Sequence, residues 1–433
     1  MHTLEQLHSG ALAGIDRLQL SCGLTAFPRA IFALADTLEI LDLSGNALSA
    51  LPDDLPRLHR LRVIFCSSNQ FTELPAVLGA CPHLAMIGFK SNHITEVPAD
   101  ALPASLRWLI LTDNRIAALP ASIGRCTQLQ KLMLAGNRLT ALPATLASCS
   151  NLELLRVAAN RLTALPDWLL AMPRLAWLAF AGNPFSAADE TAAARAPHGT
   201  IAWDRVQLQH ILGEGASGVI YAARLRDEGT VAVKLFKGAV TSDGLPDCEL
   251  AACVGAGGHA NLIPLLGEIV DHPDGMHACV MTLIDPAFVN LAGPPSLASC
   301  TRDVYAADKR FTLEAVLRLA GGIAAAAAHV HGRGIMHGDL YGHNILHVAG
   351  GDALLGDFGA ASMFRPGDAQ ALALQQVEVR AFGVLLGELI TRCDADEATL
   401  ADLLVLAGDC VQPALSRRPL FDEVRRRIAL VAR

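Results

Sequence analysis

The chain has 433 residues, 52% apolar and 18% charged, with 34 Lys and Arg against 42 Asp and Glu for a net charge of −8. At about 100–200 residues per domain, this length predicts two or three domains with ample core, and the apolar share excludes a disordered chain. Residues 1–200 balance 15 basic against 15 acidic groups, whereas 201–433 hold 19 against 27. Neither half has the basic excess that a phosphate backbone needs, so nucleic acid is excluded as a partner.

No stretch of about 18 uncharged apolar residues is present, so no membrane span is expected; the best candidate, 319–328, is short and bounded by Arg318 and His329. The opening MHTLEQLHSG has neither a basic region nor an apolar core, so no signal peptide is expected. A cytoplasmic location is the expectation, with secretion as an effector left open. The eleven cysteines are scattered without a CxxC, which predicts reduced core thiols rather than disulfides or a zinc site. The 29 Arg among 34 basic residues suggest a GC-rich, bacterial-type genome.

In chain order, residues 1–14 read as an amphipathic cap. A repeat follows. Asparagines fall at Asn46, Asn69, Asn92, Asn114, Asn137, Asn160 and Asn183, spaced by 23 residues except for one gap of 22. Around each lies the pattern of LQKLMLAGNRLTALP, and a degenerate copy starts at Ile15, making eight. Each LxL turns two leucines to one face of a short strand. The Asn amide can satisfy backbone groups in the bend, and Leu-Pro is expected to end the return segment. One such unit cannot bury its leucines alone, so stacking makes the core.

The pattern resembles the leucine-rich repeat family over residues 15–185 and implies an α/β solenoid, with 186–202 as far cap and linker. In such a horseshoe the residues flanking the second leucine face the concave side. One row is Ile40, Val63, Met86, Trp108, Lys131, Leu154 and Trp177. The next is Asp42, Phe65, Gly88, Ile110, Met133, Arg156 and Ala179. A largely apolar row with two Trp predicts an interface. Phe65, Met86, Trp108, Ile110, Met133, Leu154 and Trp177 are the expected contacts. The partner is either another protein or the second half of this chain.

From Ile211 the chain reads ILGEGASGVIYAAR, between two strand-like runs, and a third strand carries VAVK ending at Lys234. No helix follows the glycines at once, which excludes a dinucleotide fold. Glycines in a hairpin let amides close over phosphates. Further on come HGDLYGHNIL, with Asp339 and Asn344, and GDFG, with Asp357. Order and spacing resemble the protein kinase family over 203–433, supported by HANLIPLLG, VEVRAFGVLLGELI and SRRPLFDEV. The whole resembles bacterial leucine-rich-repeat serine/threonine protein kinases.

The resemblance implies an α+β two-lobed domain that binds ATP and Mg²⁺ and acts on a protein hydroxyl. Gly213, Glu214, Gly215, Ala216, Ser217 and Gly218 would cover the phosphates. Lys234 would hold them and pair with Glu249. Asp339 would accept the substrate hydroxyl's proton, and Asn344 and Asp357 would hold the metal. Ile220, Ala232 and Leu346 would sandwich adenine, with Met281 as gatekeeper and 282–284, including Leu283, as hinge. The histidines of 329–347 invite a metal reading; His331 and His337 instead match places where kinases carry His.

Three features depart from the family pattern. Gly338 replaces the Arg that reads an activation-loop phosphate, and only Ser362 offers a hydroxyl between Gly359 and Glu378. Tyr341 stands where serine/threonine kinases carry a Lys that steadies the γ-phosphate; its loss would lower the rate, or His343 would substitute. No APE motif is visible, so Arg418 loses its usual Glu. Two rivals stay open: a pseudokinase scaffold that binds nucleotide and partner proteins, and a small-molecule phosphotransferase of the aminoglycoside- and choline-kinase type, which HGD also resembles.

Overall fold

The three-residue LxL segments form the strands Arg17–Gln19, Ile40–Asp42, Val63–Phe65, Met86–Gly88, Trp108–Ile110, Lys131–Met133 and Leu154–Arg156. Each pairs with the next in parallel, residue for residue. The central side chains Leu41, Ile64, Ile87, Leu109, Leu132 and Leu155 therefore stack in one fully buried layer. These data come from a computed structural model that describes residues 2–432 except 216, 227–228, 239 and 242. The chain divides into two compact units, 1–172 and 173–433.

In the first unit the asparagines work as the sequence suggests. Asn114 Oδ1 accepts the Ile94 N–H at 3.0 Å, and its Nδ2 donates to Phe89 O at 2.9 Å and Leu111 O at 3.1 Å. Asn46, Asn92, Asn137 and Asn160 make equivalent bonds. The Leu-Pro pairs differ from expectation. Pro28, Pro75, Pro120 and Pro143 open the return segments rather than close them. Each stands just before a 3₁₀ turn, where a missing N–H costs nothing and the Pro carbonyl accepts the first bond. The return segments Arg29–Leu34, Leu55–Arg57, Ala76–Ala80, Ala121–Arg125 and Ala144–Ser148 are thus 3₁₀ turns, not α-helices. At the N-terminus, helix Leu4–His8 is closed by a Thr3/Gln6 capping box.

The second unit starts inside the eighth repeat, with strand Trp177–Ala179 and helix Ala187–Ala194. The stretch read as linker contains a strand, Thr200–Ala202, which pairs in parallel with Leu265–Val270. It completes a six-stranded sheet that runs Val206–Glu214, Gly218–Leu225, Gly229–Phe236, Ala278–Thr282, Leu265–Val270, Thr200–Ala202. Helix Pro246–Ala256 packs on this sheet through Leu250 and Val254 against Phe236 and Cys279.

The second lobe holds helices Leu313–Gly332, Ala371–Ile390, Glu397–Cys410 and Phe421–Val431. Leu313–Gly332 is long and apolar enough to cross a membrane by length and composition, but here Val316, Leu319, Ala320, Ile323, Ala327 and Val330 are buried core. The six-stranded sheet and this helical lobe meet the two-lobed expectation.

Candidate active site

The glycine-rich stretch joins strands Val206–Glu214 and Gly218–Leu225 as a hairpin. Gly218 is a steric need: a Cβ there would stand 2.5 Å from Leu235 O on the neighbouring strand. Glu214 is exposed and pairs with Lys237. Ala216, expected in the same loop, lies outside the described residues.

Lys234 is buried at the centre of the sheet, on the strand Gly229–Phe236. Its Nζ bonds Glu249 Oε1 from helix Pro246–Ala256 and lies 3.4 Å from Asp357 Oδ1. Burial works against the ammonium charge, but the Asp357 and Glu249 carboxylates outweigh it and raise Lys234 above its ordinary value.

Asp357 has φ +53° and its Oδ1 accepts the Gly359 N–H at 3.2 Å. Asn344, whose backbone O accepts the Gly356 N–H at 3.0 Å, donates its Nδ2 to Asp339 O at 2.9 Å and to Asp339 Oδ2 at 2.8 Å. The expected Lys234–Glu249 pair is thus formed, and Asn344 bonds Asp339, a contact the sequence reading did not include.

The loop holding Asp339 is anchored by Glu378 on helix Ala371–Ile390. Its carboxylate accepts the N–H of His337 at 3.0 Å and of Gly338 at 2.6 Å, and lies 2.6 Å from His331 Nε2. Burial disfavours its charge, but His331 outweighs that and keeps the carboxyl below its usual range. His331 and His337 are therefore structural. His343 Nδ1 stands 2.7 Å from Asp303 Oδ1; burial disfavours its charge, yet Asp303 and Asp339 hold its pKa up. Among the described residues no group of three or more His, Cys, Asp and Glu is placed to hold a metal.

A cavity lies beside Lys234, lined by Gly215, Ser217, Gly218, Ile220, Met281 and Asp357 as expected, and also by Cys253, Leu262, Ile263, Leu265, Cys279 and Phe358. Gly213, Ala232, Leu283 and Leu346 are not on its wall. Glu249, Cys253 and Ala256 of helix Pro246–Ala256 also line it, whereas 282–284 do not. Of the apolar lining that sequence reading missed, Leu262, Ile263, Leu265 and Phe358 lie inside the HANLIPLLG and GDFG stretches, whereas Cys253 and Cys279 lie on a helix and a strand with no motif to mark them.

The segment after Asp357 is short, since the next long helix begins at Ala371. Tyr341 stacks on Trp177, centroids 4.2 Å apart and planes 6° from parallel. Trp177 Nε1 donates to Leu340 O at 3.1 Å, so this member of the expected concave contacts is already engaged. Met86 and Leu154 are buried as well, while Phe65, Trp108, Ile110 and Met133 are half-buried. Arg418 is 2% exposed and donates to three carbonyls, Gln412 O, Gln376 O and Pro173 O. Burial, then Arg380 nearby, pushes it down to about 10.

Residues 206–380 match the family model described as protein kinase domain. Residues 104–162, 127–185 and 37–58 match leucine-rich repeat models. The chain therefore combines N-terminal leucine-rich repeats with a C-terminal protein kinase domain. A protein described as a leucine-rich repeat receptor-like protein kinase from Arabidopsis thaliana is 30% identical over 200 residues, 42% of this chain and 28% of that one. A protein described as cyclin-dependent kinase F-2 from Oryza sativa subsp. japonica is 30% identical over 159 residues, 36% of this chain and 47% of that one. The chain thus spans less than half the length of either relative.

Proposed function

We propose that the chain is a protein kinase that uses ATP and Mg²⁺ to phosphorylate serine or threonine hydroxyls, with the repeats as a protein-interaction or autoregulatory module. The observation that carries this reading is the Lys234–Glu249–Asp357 set together with the Asp339–Asn344 pair, the two joined where the Gly356 N–H, next to Asp357, donates to Asn344 O at 3.0 Å. Lys234, kept charged, binds the phosphates. Asp339 orients the acceptor hydroxyl and takes its proton. The work is positioning and charge neutralisation rather than covalent catalysis.

Asn344 and Asp357 offer the hard oxygens magnesium takes, and two protein donors suit an ion that keeps waters and phosphates as its other ligands. Asn344 gives its Nδ2 to Asp339, so Oδ1 is the side-chain atom that would take such a role. When bound, the ion would neutralise charge developing on the transferred phosphoryl group. His343 takes the place of the cation that Tyr341 lacks. The concave row, including Phe65, Trp108, Ile110 and Met133, is the proposed surface for a protein partner or for intramolecular docking.

One observation favours a second reading, a nucleotide-binding scaffold: Tyr341, at the place of the phosphate-steadying Lys, is 4% exposed and stacked. Label from γ-labelled ATP separates the readings. Mg²⁺-dependent label on serine or threonine of a protein supports the kinase. ATP binding with no transfer to protein rejects it and leaves the scaffold, or a small-molecule phosphotransferase if ADP still accumulates.

A further inference from the structure

Kinases that depend on loop phosphorylation need an acceptor hydroxyl and an Arg to read the phosphate. Here Gly338 stands in the Arg place, and Ser362 is the sole hydroxyl between Gly359 and Glu378. Ser362 is 0% exposed. Its Oγ accepts the Phe180 N–H at 2.8 Å and the Ala181 N–H at 3.2 Å, both from the eighth repeat. That hydroxyl is spent on structure and closed to phosphorylation.

The same repeat reaches the catalytic loop. Trp177 Nε1 donates to Leu340 O, the peptide next to Asp339, and its ring stacks on Tyr341. A Cβ on Gly338 would stand 2.8 Å from Leu178 O. So Gly338, Leu340 and Tyr341, which flank Asp339, all meet the segment Trp177–Ala179. The chain then continues into helix Ala187–Ala194. Its Glu190 accepts the Gly182 N–H at 2.8 Å and lies 3.6 Å from Cys248 Sγ, the neighbour of Glu249. One continuous segment thereby touches both the loop of Asp339 and the helix of Glu249.

We propose that Trp177 is a positioning residue for the kinase site: the eighth repeat fixes the catalytic loop in place of a phosphorylated activation segment. Its catalytic consequence rests on the kinase reading; its structural half does not. A buried aromatic stack plus an indole bond to the loop backbone sets where Asp339 sits, and small errors in such positions cost rate rather than nucleotide binding.

The test uses the full chain with Trp177→Ala and Trp177→Phe, reading backbone amide exchange at 338–344 alongside kcat and KM for ATP. Trp177→Ala should speed exchange in that loop at least about tenfold and lower kcat about 10–100-fold, with KM for ATP changed less than about twofold. Trp177→Phe keeps the stack without the N–H and should fall between, and it decides the matter if the alanine variant does not fold. Unchanged exchange in both variants overturns the proposal. So does a rise in kcat, which would make Trp177 a plug on the acceptor site. A wild-type chain that transfers no phosphate defeats the kinase reading, while the exchange data still decide the positioning.

Discussion

Gly338 is the residue where sequence and structure say different things about one fact. By resemblance it is a missing arginine. In the fold it has φ +74°, and a Cβ would stand 2.4 Å from Ala360 O and 2.8 Å from Leu178 O. Glycine is therefore required by the backbone, whatever the chemistry. Gly338→Arg, which restores the usual kinase triplet, should destabilise the protein: the conformation alone costs about 1–2 kcal/mol for a non-glycine residue, and relieving the contacts adds to that. Urea unfolding would show it; a variant as stable as wild type would contradict the account. Nothing in the letters HGD reports a dihedral angle, so this reason was not legible. The meeting of Lys234 with Glu249 was legible through the family resemblance, whose motifs carry both residues. The fate of Tyr341 was not, because its partner Trp177 lies 164 residues earlier in the chain.

At the scale of elements, the 23-residue register predicts one short strand in each of the eight copies, each copy has it, and the asparagine bonds follow the same register. Asn114→Ala strands the Ile94 N–H in the interior, while Phe89 O and Leu111 O keep the Asn92 and Asn137 amides at 3.2 Å and 2.9 Å. At about 1–3 kcal/mol for one orphaned buried group, it should destabilise the first unit by about that much on chemical denaturation. The direction of the Leu-Pro turns was misread because proline's missing donor is harmless at either end of a segment, and only the fold says which end it occupies.

Helix Ala371–Ile390 adds a pH effect. Glu388 accepts the Tyr305 O–H at 3.1 Å, and burial, then Asp303, pushes its carboxyl up to about 7 from an ordinary 4.5. The folded chain holds this proton more tightly than the unfolded chain. Its contribution to stability therefore falls as pH rises from about 4.5 through 7, and the loss is complete above that. Glu388→Gln should flatten that dependence and gain stability relative to wild type above pH 7. Melting temperatures at pH 5 and pH 8 check it; an equal shift at both would be the contrary result.

For the whole molecule, motif and compactness divide the chain differently. Motif places the repeats at 15–185 and the kinase from 203, whereas the second compact unit begins at 173. The reason is specific: Arg418 needs Pro173 O, Ser362 binds Phe180 and Ala181, and Thr200–Ala202 is a sheet strand. A fragment 203–433 should therefore melt well below a fragment 173–433, and equal melting points would show that these contacts matter little. The contacts that cross that motif boundary were not readable from sequence, because each joins a side chain to a distant backbone group that any residue supplies.

The most direct measurement is phosphotransfer from γ-labelled ATP with Mg²⁺ by the full chain, beside Asp339→Asn, with ATP-induced thermal shift as a check on folding and binding. The account predicts label on protein from the wild type, a loss of about 10²–10⁴-fold in the variant as expected for a removed general base, and the same thermal shift in both. Equal label in wild type and variant, or none in a wild type that binds ATP, would contradict it.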